Sequence, residues 1–157
     1  MLLKKLEVFI NIIELRQKQY SLASEYLALA NESEDKDERE IMNRISLLTH
    51  EAADIMSDVV KKEKLVLTPM KSDAMQIINA DMLARGKGRW YKANAFAAEI
   101  YSGYRSRIYA KYYKDMNLAA DKYDEVTHLF ESLAEKYAKE HGMNYEIVDG
   151  WEVPEEE

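Results

Sequence analysis

The 157 residues contain no cysteine, which removes disulfides, thiolate metal sites and cysteine nucleophiles at once. Proline and glycine are nearly as scarce, two and five residues, so few positions can interrupt a helix. Histidine occurs three times, too few for the histidine-rich metal sites of helical bundles. No apolar run approaches the ~20 residues that span a bilayer. The opening MLLKKLEVFINIIELRQKQY is broken by Lys4, Lys5, Glu7, Glu14, Arg16 and Lys18, unlike the apolar core and small-residue cleavage site of a signal peptide. These absences lead us to expect a cytoplasmic protein with no membrane, metal or cofactor.

What is there is helix-forming. Apolar residues make up 47% of the chain and charged ones 32%, the balance of one globular domain. Leu2, Leu6, Phe9, Ile13, Tyr20, Ala23, Leu27 and Ala30 recur at spacings of three and four, interrupted at Arg16, and Ile41, Ile45, Leu48, Ala52, Ile55 and Val59 repeat the pattern. Between them NESEDKDE holds no apolar residue and offers Asp35 as an N-cap with Glu38 three positions on. Neither stripe can be buried alone, so the two segments should fold back on each other. Thr68-Pro69 should cap a third helix through Met70, Ala74, Ile77 and Ile78, and the glycine-rich run at 85–89 should loosen it. From Trp90 the stripe resumes as Ala97, Tyr101, Tyr104 and Ile108, then Met116, Ala119, Tyr123, Val126, Phe130, Leu133 and Tyr137, with a stop at His141-Gly142. Continuity near residues 115–117 is left open. The pattern predicts an all-α fold: an elongated bundle of four to five helices with an antiparallel N-terminal hairpin. Its helical domain covers 1–142, and an acidic tail occupies 143–157.

Three fragments resemble catalytic motifs, and each is incomplete. Arg44 and His50 have the Arg-x5-His spacing of the helical ribonucleases called HEPN domains, yet six steps along a helix leave them roughly 120° apart. Glu51 and Asp54 form half of the magnesium site of all-α nucleotide pyrophosphohydrolases, but the facing helix supplies Glu25 with alanine at position 28. Glu125 and His128 make one Glu-x-x-His where a di-iron bundle needs two, and both fall off the apolar seam. The expectation is a protein that is not an enzyme.

Charge is the uneven feature. Residues 85–114 hold Arg85, Lys87, Arg89, Lys92, Arg105, Arg107, Lys111 and Lys114 against one acid, Glu99, so this segment is +7 while the remainder of a chain of net charge -7 is -14. The last twelve residues contain six acids and no base. On a continuous helix Arg89, Lys92, Arg107, Lys111 and Lys114 project within about 100° of one another, a quarter turn from the apolar stripe. Such a face can track a phosphate backbone. Tyr91, Tyr109 and Tyr113 at its margins are candidates for stacking on unpaired bases, whereas Tyr101 and Tyr104 fall on the seam and are expected in the core.

Lys71-Ser72-Asp73 with Ile77-Ile78-Asn79-Ala80-Asp81, then an aromatic helix and Arg105-Ser106-Arg107, resembles the UvsY-type recombination mediators of tailed phages over about a third of the chain. The sequence departs from that family at Ile108-Tyr109, where glycine and an aromatic stand in the family pattern. The resemblance implies a small homo-oligomeric protein, in the host cytoplasm, that binds single-stranded DNA. It also implies that the protein helps a RecA-like recombinase displace single-strand-binding protein and load. Carried over by position, Lys71, Arg105 and Arg107 are the DNA contacts, and Arg107 is favoured by both arguments. A viral coat or scaffold subunit, or a regulatory protein-interaction module whose acidic tail mimics DNA, remains an alternative expectation.

Overall fold

The computed structural model describes residues 2–63 and 87–141, all of them in helices or the turns that join them. The expected helix after Thr68-Pro69, Lys71 and the acidic tail lie outside these residues. Helix α1 runs Leu2–Glu32 and α2 runs Lys36–Glu63. A third rod is built of α3 (Lys87–Phe96), a π-helical segment (Ala97–Tyr104) and the short α4 (Arg105–Tyr109), and α5 runs Met116–His141.

The hairpin turn is fixed by local polar chemistry. The Asp35 carboxylate accepts the Glu38 backbone N–H at 3.1 Å, as an N-cap should, and Ser33 Oγ donates to Glu38 Oε1 at 2.8 Å. Arg39 donates to the Ser33 carbonyl at 2.8 Å, satisfying an acceptor beyond the end of α1. Cross-links elsewhere show that neighbouring rods all run antiparallel. Tyr20 bonds Asp54 at 2.7 Å between α1 and α2, while Asp35–Lys136, Arg44–Glu125 and Lys62–Asp115 step in opposite directions along α2 and α5. Tyr26 stacks on Trp90 at 5.2 Å and Phe9 meets Tyr113 at 6.2 Å, which sets the third rod antiparallel to α1. The all-α bundle with an N-terminal hairpin is therefore the fold.

The core runs the length of the bundle through Phe9, Ile12, Tyr26, Met42, Ile45, Met56, Trp90, Tyr123, Phe130 and Leu133. In α2 the buried arc includes Ile45, Leu48, Ala52 and Val59 of the expected stripe and also Met42, Thr49, Ala53 and Met56 beside it, while Ile41 and Ile55 are only partly buried. In α1 the buried arc is broader and turned: Val8, Ile12, Leu15, Gln19, Leu22 and Tyr26 point inward, whereas Leu6 and Leu27 are exposed. The reason is that α1 packs against both α2 and the third rod, so its inward direction bisects two partners rather than facing one.

The third rod departs most from expectation. Its inward line is Tyr91, Ala95, Ala98, Ser102, Ser106, Tyr109 and Tyr113, and Tyr101 and Tyr104 are 48% and 61% exposed. The sequence stripe through Tyr101 and Tyr104 is thus one residue out of phase with the true core face. Two physical causes act together. Small side chains let this rod approach α5 closely: a Cβ added at Gly103 would stand 3.1 Å from the Ala98 carbonyl oxygen and 3.3 Å from Tyr123 Cβ. The eight-residue π-helical segment also carries more residues per turn than an α-helix and slips the phase of the residues beyond it. The rod ends at Tyr109, and i→i+3 bonds such as Lys111 N–H to the Ile108 carbonyl at 3.1 Å turn the chain into α5.

Candidate nucleic-acid interface

The basic residues expected on one stripe are distributed over three environments. Lys92, on α3, lines a shallow cleft with His128, Glu131 and Glu135 of α5. Acids surround it there, so it does not continue a positive track. Arg107 is exposed on α4, and one of its terminal nitrogens reaches both Asp121 and Asp124, at 3.1 and 3.2 Å. Two carboxylates more than offset its charge, which removes it from first place among the phosphate contacts. Arg105 lies over the exposed ring of Tyr101, with the guanidinium carbon 5.0 Å from the ring centre. The side chain of Arg89 and all of Lys71 lie outside the described residues.

Lys111 and Lys114 are exposed in the turn before α5, and the fold brings other lysines to the same end. Lys5 of α1 sits 5.3 Å from the centre of the Tyr113 ring, and Lys62 at the end of α2 bonds Asp115 at 3.1 Å. This tip therefore gathers Lys4, Lys5, Lys61, Lys62, Lys111 and Lys114 around Glu7, Asp58 and Asp115. Lys4 pairs with Glu7 and Lys62 with Asp115. Among the described residues Lys5, Lys61, Lys111 and Lys114 have no carboxylate partner. The opposite end is acidic: residues 31–40 and 131–140 hold nine carboxylates against Lys36, Arg39, Lys136 and Lys139. Sequence reasoning finds Lys111 and Lys114 but misses Lys4, Lys5, Lys61 and Lys62, because a linear window cannot see that a hairpin returns its two outer ends to one place.

The aromatic assignment is reversed. Tyr91 is wholly buried, with its ring centre 5.4 Å from that of Trp90 and 6.4 Å from that of Tyr137, and Tyr109 and Tyr113 are also buried. None of the three presents a face to a base. Burial drives the Tyr91 phenol far above the ordinary tyrosine range, and Tyr26 and Tyr123 likewise. The outward rings are Tyr101, braced edge-on by Phe96 at 5.8 Å, and Tyr104. Arg105 lies over Tyr101, and this aromatic and cationic pair stands about two helical turns from the lysine tip.

A cleft of about 210 Å³ opens beside this pair, between α1 and the π-helical segment. Its floor is Gln19, 2% exposed, whose amide lies 3.4 Å from Ser102 Oγ.

The fragments that resemble catalytic motifs are held in ion pairs and hydrogen bonds. Arg44 reaches Glu125 at 2.8 Å while His50 lies 3.3 Å from Asp54, so Arg44 and His50 diverge. Glu51 is bonded by Lys122 at 3.0 Å. Among the described residues no three histidine, aspartate or glutamate side chains gather as a metal site would require, and no helix is long and apolar enough to cross a membrane. No protein-family model, curated protein or solved structure matches the chain, so any function has to be argued from its own surface.

Proposed function

We propose that this protein is a non-enzymatic single-stranded DNA-binding protein that holds the strand along the Tyr101, Tyr104 and Arg105 face and the lysine tip. The observation that carries the reading is two large tyrosines turned to solvent, Tyr101 with an arginine over its ring, on a rod that leads to four lysines without a carboxylate partner among the described residues. Exposed aromatic rings are open to solvent at a cost that burial would avoid, and stacking on unpaired bases gives them a partner that duplex DNA does not offer. The lysines supply sequence-independent attraction to phosphate. The acidic far end repels the same strand and so orients the molecule on it.

The resemblance to UvsY-type mediators extends the proposal: the bound protein would act as a homo-oligomer to help a RecA-like recombinase replace single-strand-binding protein. Fluorescence anisotropy tests the binding step, with a labelled single strand and its duplex across a salt series. Tighter binding of the single strand, weakened about tenfold by Tyr101→Ala with Tyr104→Ala, is expected. No binding to either form at low salt overturns the proposal. Acceleration of recombinase assembly on a strand coated with single-strand-binding protein then tests the mediator step.

A further inference from the structure

Six described side chains carry a buried nitrogen or oxygen with no hydrogen-bond partner within the protein, and of these Gln19 is the one that lines the cleft between α1 and the π-helical segment. Gln19 is almost fully enclosed, and its amide contacts one polar partner, Ser102, at the long distance of 3.4 Å. Its other end, Oε1, has no hydrogen-bond partner within the protein. A buried amide oxygen without a partner is costly, and a ligand that pairs with it removes that cost. The walls supply what a specific ligand would need. Tyr101 offers a flat ring, Arg105 lies over it, and Lys18 adds a second cation at the same cleft, with Glu14 the acid present. Sites for drug-sized ligands span ~300 to 1,000 Å³, so about 210 Å³ suits a single ring system rather than an entire cofactor.

We infer that this cleft receives one unstacked nucleobase of the bound strand. The Gln19 amide pairs with the hydrogen-bonding edge of the base, the Tyr101 and Arg105 pair forms the stacking wall, and Lys18 and Arg105 hold the neighbouring phosphate. The inference rests on the single-strand reading and deepens it, because it supplies a reason for the strand preference: in a duplex that edge is already paired. The π-helical segment supplies Ala97, Tyr101 and Ser102 to the cleft, with Ser102 turned inward and Tyr101 outward.

The test compares a labelled single strand with a strand of equal length whose bases have been removed and whose phosphates remain. The intact protein should bind the base-bearing strand about tenfold more tightly, and Gln19→Leu should abolish that difference while leaving the affinity for the abasic strand unchanged. If Gln19→Leu fails to fold, the resonance of Gln19 in the intact protein decides alone. In parallel, the side-chain amide resonance of Gln19 is monitored by NMR as dAMP, dCMP, dGMP or dTMP is added, and again with the full strand. Movement of that resonance with the strand and with mononucleotides supports the cleft. A stationary Gln19 resonance during binding of a base-bearing strand overturns the cleft and leaves the surface-stacking proposal standing, whereas equal affinity for the two strands overturns both. Failure of both strands to bind overturns the functional reading and this inference with it.

Discussion

Replacing Tyr91 and Tyr104 separately by alanine tests the phase of the third rod, on which the whole interface depends. Tyr91 is 0% exposed, and a buried tyrosine removes about 150–250 Å² from water, worth about 4–6 kcal/mol at 25 cal/mol/Å². Compactness of the unfolded chain lowers that to about 3–4 kcal/mol, inside the range observed for large aromatic-to-alanine changes. For a chain of this size each kcal/mol moves the midpoint by about 2–4 °C, so Tyr91→Ala should melt about 10 °C early. Tyr104 is 61% exposed, and Tyr104→Ala should fall within about 0.5 kcal/mol of the parent. Urea unfolding monitored by circular dichroism gives both numbers, provided the slope with denaturant is unchanged. If Tyr104→Ala costs as much as Tyr91→Ala, the core face lies where the sequence stripe places it and the outward aromatic face does not exist.

The same contacts lead to other expected outcomes. Gly103→Ala gains about 0.5–1 kcal/mol of helix preference but forces a contact against Tyr123, and overpacking of this kind costs about 1–3 kcal/mol, so a net loss near ~1 kcal/mol is expected in the same unfolding assay. Lys136 hydrogen-bonds Asp35 and the Asp35 carboxyl is lowered, while Arg44 lowers Glu125. Groups depressed in the folded state stabilise it above their ordinary range and lose that contribution as pH falls through the lowered values. Acid unfolding should therefore flatten in Asp35→Asn with Glu125→Gln, the asparagine keeping the helix cap. Burial raises the phenols of Tyr26, Tyr91 and Tyr123, so their contribution is complete below the ordinary tyrosine range and is lost at higher pH; absorbance at alkaline pH should show these three ionising only with unfolding. Lys111→Gln with Lys114→Gln should reduce the slope of log affinity against log salt by about 1.4 for a single strand, and an unchanged slope would place the phosphates elsewhere.

Most of the hairpin is legible in the sequence because its information is local. Asp35 and Glu38 carry their capping signal within four residues, and four of the six stripe residues of α2 are buried, although packing against both α1 and α5 widens its arc to Met42 and Met56. The third rod is misplaced by its pattern for a reason specific to its side chains. Hydrophobic patterning weights Tyr101 and Tyr104 above Ala98, Ser102 and Ser106, yet close approach to α5 favours the smaller set, and Gly103 has no side chain to register at all. A run of small residues offset by one position from a run of tyrosines is the signal that was there to use. Charge misleads in a different way: Arg107 looks free in the sequence because its partners, Asp121 and Asp124, are more than a dozen residues away along the chain.

The aromatic inversion and the buried small residues meet at one place, and that coincidence bears on function. Close approach to α5 accounts for the small residues inside, but it does not require that the positions left outside be large aromatic ones. The π-helical segment places Ser102 and Gly103 inside and Tyr101 and Tyr104 outside. Natural chains break local patterning rules mainly where a site requires it, and π-helical turns are found at such sites disproportionately often. The strand-binding proposal gives a use to what packing leaves outside: an outward ring for a base to stack on, beside a cleft in which Gln19 meets its edge. Reversion of the pattern by Tyr101→Ser and Tyr104→Ala should leave the fold nearly as stable and remove the preference for single strands. If stability drops steeply instead, the tyrosines serve packing and the inversion needs a structural explanation.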